Sequence, residues 1–119
     1  MLRKIDCVMV RVDDRAAAVD FYTRVFGLRR LWQDEASAGM AMAETDAEIV
    51  LHTMSLPPDR SVHYLVDDVP AAVEVCRREG CTVREPPFEI VIGQCAVLED
   101  PFGNTVCLLD MSKGPRPAP

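Results

Sequence analysis

The chain has 119 residues, of which 49% are hydrophobic, and a formal net charge of −6 at pH 7. Nucleic acids and anionic membranes bind basic surfaces, so neither is an expected partner of this acidic chain. No apolar run reaches the ~18 residues of a membrane span. The length fits one domain with a hydrophobic core, and the N-terminus lacks a secretory h-region, which predicts a cytoplasmic protein.

The first half of the chain predicts a strand, a helix and three further strands. Valine alternates with other residues over 5–12, which indicates a strand, and Asp13 or Asp14 can then cap a helix. Gly27 is predicted to end that helix. The apolar stripe expected to pack it on a sheet is Ala18, Phe21, Tyr22, Val25 and Phe26. The later strands are predicted at 28–33, 39–44 and 48–54.

The second half repeats this plan after a predicted linker at Leu56–Arg60. The predicted elements are a strand at 61–66, a helix capped by Asp68 and ended by Gly80, and strands at 81–84, 92–99 and 105–110. Ala72, Val75 and Cys76 are expected on the inner face of this helix. The predicted organisation is a single domain over 1–111, with modules at about 4–55 and 61–111 and a disordered tail at 112–119.

An internal repeat relates the two halves. Val12-Asp13-Asp14 recurs as Val66-Asp67-Asp68, and Ala17-Ala18-Val19 recurs as Ala71-Ala72-Val73, each 54 residues later. A match that covers a strand, a turn and a helix indicates one supersecondary unit used twice. The predicted fold class is therefore α+β, built from two tandem βαβββ modules, with a ligand expected at the seam between them.

Four segments of this repeat resemble a known family. They are Asp6–Asp14 (DCVMVRVDD), Phe21–Leu28 (FYTRVFGL), Val66–Asp68 (VDD) and Asp100–Asn104 (DPFGN). The chain resembles the vicinal oxygen chelate superfamily, which includes glyoxalase I, extradiol dioxygenases, fosfomycin-modifying enzymes and bleomycin resistance proteins. The resemblance implies a curled mixed sheet around a cavity in each module, a small organic ligand and a homodimer.

The resemblance also locates the positions at which metal-dependent members bind their metal. In this chain those positions hold Cys7, Val50, Ser61 and Cys107, where such enzymes carry His, Gln or Glu. Valine has no donor atom, and serine is a poor ligand. Two thiols would suit Zn²⁺ or Cu(I) as a partial site but not the Mg²⁺, Mn²⁺, Ni²⁺ or Fe²⁺ of these enzymes. We therefore expect no cofactor, while a divalent metal stays open as an alternative. Cys7 and Cys107 are expected to act as small apolar wall residues rather than as a reactive pair.

The two histidines leave another set open. By strand alternation, His52 shares a face with Val50 and His63 with Ser61, one step along from the expected ligand positions. A metal held by Cys7, His52, His63 and Cys107 is the weaker alternative, and a lyase, isomerase or dioxygenase would then follow. An enzyme that uses no metal, with His52 and Glu48 as its acid–base pair, is a further alternative. Catalytic residues are otherwise unknown.

The favoured hypothesis is a metal-independent protein that binds an apolar or aromatic small molecule in a cavity between the modules. Adaptable methionines and an indole face suit such a ligand, and a charged side chain could orient its polar group. The expected cavity residues are Cys7, Met9, Arg11, Trp32, Glu48, Val50, His52, Ser61, His63, Cys107 and Leu109. Met40, Met42 and Leu65 are further inward candidates, and a structural module without a ligand stays a third possibility.

Overall fold

A computed structural model describes residues 1–116 and contains the two predicted βαβββ modules. The first comprises β1 (Lys4–Arg11), α1 (Arg15–Arg24), β2 (Arg29–Gln33), β3 (Ser37–Ala41) and β4 (Glu48–His52). A short 3-10 helix, Pro58–Arg60, lies within the predicted linker. The second comprises β5 (Val62–Leu65), α2 (Val69–Arg78), β6 (Thr82–Ile90), β7 (Gly93–Glu99) and β8 (Thr105–Leu109). The predicted α+β fold class is confirmed.

The chain forms two compact units. The first unit is Asp6–Ser61, and the second combines Met1–Ile5 with Val62–Arg116. The first five residues join the second unit because the Arg3 amide donates to the Leu65 carbonyl at 2.8 Å and the Arg3 guanidinium lies 3.1 Å from the Asp67 carboxylate.

Each unit contains a mixed sheet with the same plan. In the first unit the strand order is β2-β3-β4-β1, with β1 parallel to β4 and the other neighbours antiparallel. In the second unit the order is β6-β7-β8-β5, with β5 parallel to β8 and the other neighbours antiparallel. The equivalent orders confirm that the internal repeat is structural.

Helix α1 begins as predicted, and two of its five predicted inward residues, Ala18 and Tyr22, face the sheet. The Asp14 carboxylate accepts a hydrogen bond from the Ala17 amide at 3.0 Å, which caps the helix. Ala18, Val19 and Tyr22 pack toward a cluster of Ala38, Met40 and Leu51. The predicted inward residues Phe21, Val25 and Phe26 are instead 44%, 49% and 58% exposed. The helix ends at Arg24, so Val25 and Phe26 lie beyond its final turn. Met40, which was expected to face the cavity, packs instead on the side of the sheet that α1 covers.

Helix α2 shows the same rotation. Asp68 caps it by accepting from the Ala71 amide at 2.8 Å. Ala72 and Val73 are buried in its core cluster and Cys76 packs partly against it, whereas Val75 is 40% exposed. Val75 occupies the position of Phe21 in the repeat, so both expectations of burial were wrong in the same way. In each helix the residue two positions earlier, Val19 or Val73, faces the sheet in place of the predicted Phe21 or Val75.

Strand β6 is longer than predicted. It runs over Thr82–Ile90 through Pro86 and Pro87, with register irregularities on either side of Glu85. Prolines lack the amide hydrogen of a sheet ladder, but β6 is the last strand of its sheet and bonds only to β7 among the described strands. Because β6 lies at the edge, it continues through both prolines beyond residue 84, where the predicted strand had ended.

The described part of the predicted tail makes several hydrogen bonds. The Lys113 amide donates to the Ile92 carbonyl at 2.9 Å, and its ammonium lies 2.5 Å from the Glu89 carboxylate. These contacts extend the second unit beyond the predicted boundary at 111, while the rest of the predicted tail, 117–119, lies outside the described residues. Over residues 1–116, neither helix has the length and apolar character needed to cross a membrane.

A buried carboxylate connects three segments of the second unit. Asp110 is 1% exposed and accepts hydrogen bonds from the amides of Val69, Gln94 and Ser112 at 2.8, 2.9 and 3.2 Å and from the Ser112 hydroxyl at 2.8 Å. Burial alone would raise the pKa of Asp110, but these donors, the Val69 amide foremost, hold it below its usual value. A Cβ at Gly93 would overlap this carboxylate, so glycine is required there.

We predict that Asp110→Asn destabilises the protein by about 1–3 kcal/mol, because an amide presents one acceptor oxygen and leaves buried amides unpaired. Chemical denaturation of the full chain would measure this loss. Asp68→Asn is the matched control, since Asn caps a helix about as well as Asp and the residue is exposed. Equal stability of Asp110→Asn and the wild type would contradict the prediction.

The same carboxylate predicts a pH dependence. Folding lowers the pKa of Asp110, so the unfolded chain binds the proton more readily. The stability that Asp110 contributes is complete above the usual Asp pKa of ~3.9 and is lost as the pH falls through the folded-state value. Unfolding free energies measured from pH 6 downward should therefore decline less steeply in Asp110→Asn than in the wild type. Parallel curves would show that the folded-state shift is absent.

Candidate functional site

The predicted inward face of the first sheet is filled over part of its area by side chains of its own unit. Cys7, Trp32 and Val50 form a buried cluster, with Met9 and Leu31 packed against it. The Cys7 thiol lies 4.0 Å from the Met9 sulfur. Cys7 is 6%, Trp32 9% and Val50 5% exposed, so three of the predicted cavity residues form a packed core in this unit.

Trp32 is fixed by a hydrogen bond and by a glycine. Its indole Nε1 donates to the Glu48 carboxylate at 2.6 Å. A Cβ on Gly39, which pairs with Trp32 across β2 and β3, would overlap the same nitrogen. The ring therefore occupies the space that a side chain at 39 would take. The Trp32 indole and the Glu48 carboxylate are therefore bonded to each other, whereas the sequence predicted both as residues of the ligand cavity.

A pocket of about 220 Å³ opens near the other end of β1 and β4 in the same unit. Four of the predicted cavity residues line it: Met9, Arg11, His52 and Ser61. The remaining lining residues come from the segment after β4: Leu56, Pro57, Pro58 and Arg60. The structure thus brings four predicted residues together and adds residues that the sequence had placed in a linker.

His52 is the buried polar group of this pocket. It is 3% exposed, and its Nδ1 accepts a hydrogen bond from the Met54 amide at 3.1 Å. Burial and, less strongly, the positive charge of Arg11 lower the pKa of His52 below its usual value. A neutral imidazole whose Nδ1 is an acceptor carries its proton on Nε2 and presents a hydrogen-bond donor there.

Three of the predicted cavity residues, His63, Cys107 and Leu109, belong to the second unit. His63 pairs with Cys107 across β5 and β8, and Cys107 is 1% exposed. Leu109 packs with Leu65 and Cys95 in a buried group. In this unit the structure therefore places His63 and Cys107 side by side on adjacent strands, with Leu109 two residues further along β8.

The alternative chemistries require pairs that the first unit keeps apart. His52 pairs with Arg11, four residues along β1 from Cys7, which is about 13 Å of strand. Cys7 and His52 therefore do not share one metal. Glu48 pairs with Cys7, so it is separated from His52 by the length of β4 and does not form an acid–base pair with it. Within residues 1–116, no group of three or more His, Cys, Asp or Glu side chains is arranged to hold a metal ion.

Comparison with known proteins decides the family. The model of the Glyoxalase/Bleomycin resistance protein/Dioxygenase superfamily matches residues 4–108. The chain belongs to this superfamily. The search of curated proteins finds no significant match. The vicinal oxygen chelate resemblance that the sequence indicated is thereby confirmed.

Solved structures share the architecture at low identity. A hypothetical protein from Bacillus halodurans is 14% identical with a TM-score of 0.73, covering 96% of this chain and 98% of that one. Methylmalonyl-CoA epimerase from Mycobacterium tuberculosis is 18% identical with a TM-score of 0.70, covering 98% and 90%. A variant methylmalonyl-CoA epimerase of Streptomyces coelicolor, in complex with 2-nitronate-propionyl-CoA, is 19% identical with a TM-score of 0.69, covering 98% and 100%. At these identities the likeness shows the fold alone.

The residues at the superfamily's metal positions do not fit the metal of its metal-dependent members. Val50 has no donor atom, and Cys7 is packed against Trp32 and Val50. Cys107 is fully buried, and Ser61 supplies only a hydroxyl. This donor set lacks both the carboxylate oxygens that hard divalent cations prefer and the imidazole nitrogens that intermediate ones such as Fe²⁺ and Ni²⁺ accept, so no chemistry at a metal is derived for this chain.

The pocket residues between β4 and β5 were not predicted from the sequence. Leu56, Pro57, Pro58 and Arg60 were assigned to a linker because prolines interrupt the strand pattern. Their position directly before Ser61, itself an expected cavity residue, was the available signal. A short connection that returns the chain to a site residue must pass beside the site.

We predict that Gly39→Ala displaces the indole, because its Cβ would overlap Trp32 Nε1. Overpacking of this kind costs about 1–3 kcal/mol, which urea denaturation would measure. Trp32 is the only tryptophan, so its fluorescence should shift as it loses Glu48 and contacts water. Glu48→Gln is the control, because the amide oxygen still accepts from the indole. Unchanged emission in Gly39→Ala would contradict the packing described.

We predict that His52 titrates below the usual histidine range and that Arg11→Gln raises its pKa without restoring the usual value, because burial is the larger cause. Heteronuclear NMR of the imidazole nitrogens would measure the titration and the tautomer, which should carry hydrogen on Nε2. Arg29→Gln, an exposed charge of the same unit outside the pocket lining, is the control. A wild-type midpoint at or above the ordinary value would show that His52 is not buried as described.

Proposed function

We propose that this protein is a metal-independent member of its superfamily that binds a small organic molecule in the pocket of the first unit. The observation that carries the proposal is the pocket itself, which combines charged and hydrogen-bonding groups with apolar walls. Such a combination is typical of small-molecule sites, where a few polar groups orient a ligand held mainly by apolar contact.

The occupants of the metal positions support the metal-independent part of the proposal. Cys7 and Val50 are core residues that contact Trp32, and this contact leaves no open coordination position at them. The ligand is therefore proposed to bind beyond this core, toward Arg11 and His52. The sequence had suggested stacking on Trp32, but the indole is 9% exposed and its N–H is bonded to Glu48.

Elemental mass spectrometry of protein purified without a chelator or a metal-affinity tag tests the first half of this proposal. We expect far less than one equivalent of transition metal per chain, because the donor set at the metal positions is inadequate. Near one equivalent that disappears in Cys7→Ala would overturn it. The predicted homodimer stays a proposal, and sedimentation equilibrium on the same sample would test it.

A substitution that fills the pocket tests the second half of the proposal, that a small organic molecule binds there. We predict that Ser61→Phe weakens, by at least about tenfold, the binding of any compound that stabilises chelator-treated protein in a thermal-shift screen, because the ring occupies the ligand volume. Ser55→Phe adds the same ring to an exposed residue of the same segment outside the pocket lining and should leave binding intact. Circular dichroism would confirm that both variants fold. Equal binding to Ser61→Phe and the wild type would place the ligand elsewhere.

A further inference from the structure

The charged residues that line the pocket are all cationic. Arg11 and Arg60 are on its wall, and its eight lining residues include no Asp or Glu. The whole chain carries a formal charge of −6, so this is a local reversal of sign in an acidic protein. Paired guanidinium groups in a concave site attract an anion and disfavour a cation.

The ion pair between Arg11 and Asp13 competes only weakly with a ligand. Arg11 Nη1 donates to the Val12 carbonyl and lies 3.3 Å from the Asp13 carboxylate, whose side chain is fully exposed. The Arg11 side chain is itself 49% exposed. An ion pair in this setting is screened by water and contributes little. A ligand carboxylate in the pocket can replace this contact without leaving a buried charge unpaired.

Neutral donors complete the polar side of the pocket. The Met54 amide donates a hydrogen bond to His52 Nδ1, so Nε2–H is the imidazole donor that a ligand can use. The Ser61 hydroxyl lies on the same lining. Two guanidinium groups, an imidazole N–H and a hydroxyl are donors suited to the several lone pairs of a carboxylate.

The rest of the lining is apolar and suits the hydrocarbon body of a small ligand. Met9, Leu56, Pro57 and Pro58 present hydrocarbon surface, and the two prolines restrict the backbone of that wall. The volume of about 220 Å³ is below the range of roughly 300–1,000 Å³ that drug-sized ligands occupy. The space suits a compact hydrocarbon group attached to the anionic one, and a bare inorganic anion would leave the apolar wall in contact with water.

We propose that the pocket binds a small organic carboxylate, with the anionic group toward Arg11, Arg60, His52 and Ser61 and the apolar body against Met9 and the Leu56–Pro58 segment. This inference rests on the proposed function and specifies the class of ligand. It concerns binding alone, since no step of bond making or breaking is assigned to these residues.

Isothermal titration calorimetry with matched acids and amides tests the inference. Benzoate, phenylacetate and hexanoate would each be compared with benzamide, phenylacetamide and hexanamide on chelator-treated full-length protein, with inorganic phosphate as a further probe. At least one acid should bind about tenfold more tightly than its amide at low ionic strength, and added salt should reduce the difference. Phosphate should bind more weakly than that acid.

Variants of the two arginines locate the effect. Arg11→Gln and Arg60→Gln should each weaken binding of the preferred acid by about tenfold and leave binding of the amide unchanged. Arg29→Gln removes the same charge from the same unit outside the pocket lining and should change neither affinity by more than about twofold. An equal loss in Arg29→Gln would mean that net charge, rather than the pocket, attracts the acid, and would overturn the inference.

The remaining outcomes separate this inference from the proposed function. If no acid binds more tightly than its amide, or if phosphate equals the best acid, the organic carboxylate is wrong. The proposed function survives that result when a neutral compound binds the chelator-treated protein and Ser61→Phe weakens its binding. If no compound in the panel or in the thermal-shift screen binds, both proposals fail.

Discussion

The packing of Trp32 on the first sheet decides where that unit has room for a ligand. The indole lies where any side chain at Gly39 would be, contacts Cys7 and Val50, and donates to Glu48. Because protein interiors are close-packed, a ring of this size closes the part of the inner face that it covers. Cys7 and Val50, at two of the positions that bind metal in metal-dependent members of the superfamily, thereby become core residues, while Ser61, at a third, lines the pocket.

The space left at the other end of β1 and β4 has a different chemistry. Arg11 and His52 pair there across the two strands, and the segment after β4 adds Arg60 and two prolines. His52 stays neutral more readily than an exposed histidine because burial and Arg11 oppose its protonation and lower its pKa. The first unit thus has a packed core around Trp32 at one end of β1 and β4 and a cationic pocket at the other.

The two units share a plan but differ in what stabilises them. In both, an Asp caps the helix, and the residues at 21 and 75 point away from the sheet. Asp110 of the second unit collects four hydrogen bonds and connects the start of α2 to β7. The corresponding residue after β4 is Thr53, whose hydroxyl approaches the Ala36 carbonyl at 3.4 Å. Sequence divergence within the repeat has thus placed the buried charge in one unit and the pocket in the other.

Local signals in the sequence were sufficient for the fold class, the repeat, the order of the elements and the family. Strand alternation, the caps at Asp14 and Asp68 and the glycines after the helices act over a few residues, so they can be recognised without the fold. Met9, Arg11 and His52 were also predicted as cavity residues, because alternation fixes which side chains share a face, and Ser61 was predicted from the resemblance to the family. The tertiary structure alone decided the rotation of both helices, the continuation of β6 through Pro86 and Pro87, the filling of the inner face by Trp32, and the entry of Arg60 into the pocket. Each of these depends on contacts between residues far apart in the chain or on the path of an irregular segment, and neither has a period that a sequence can display.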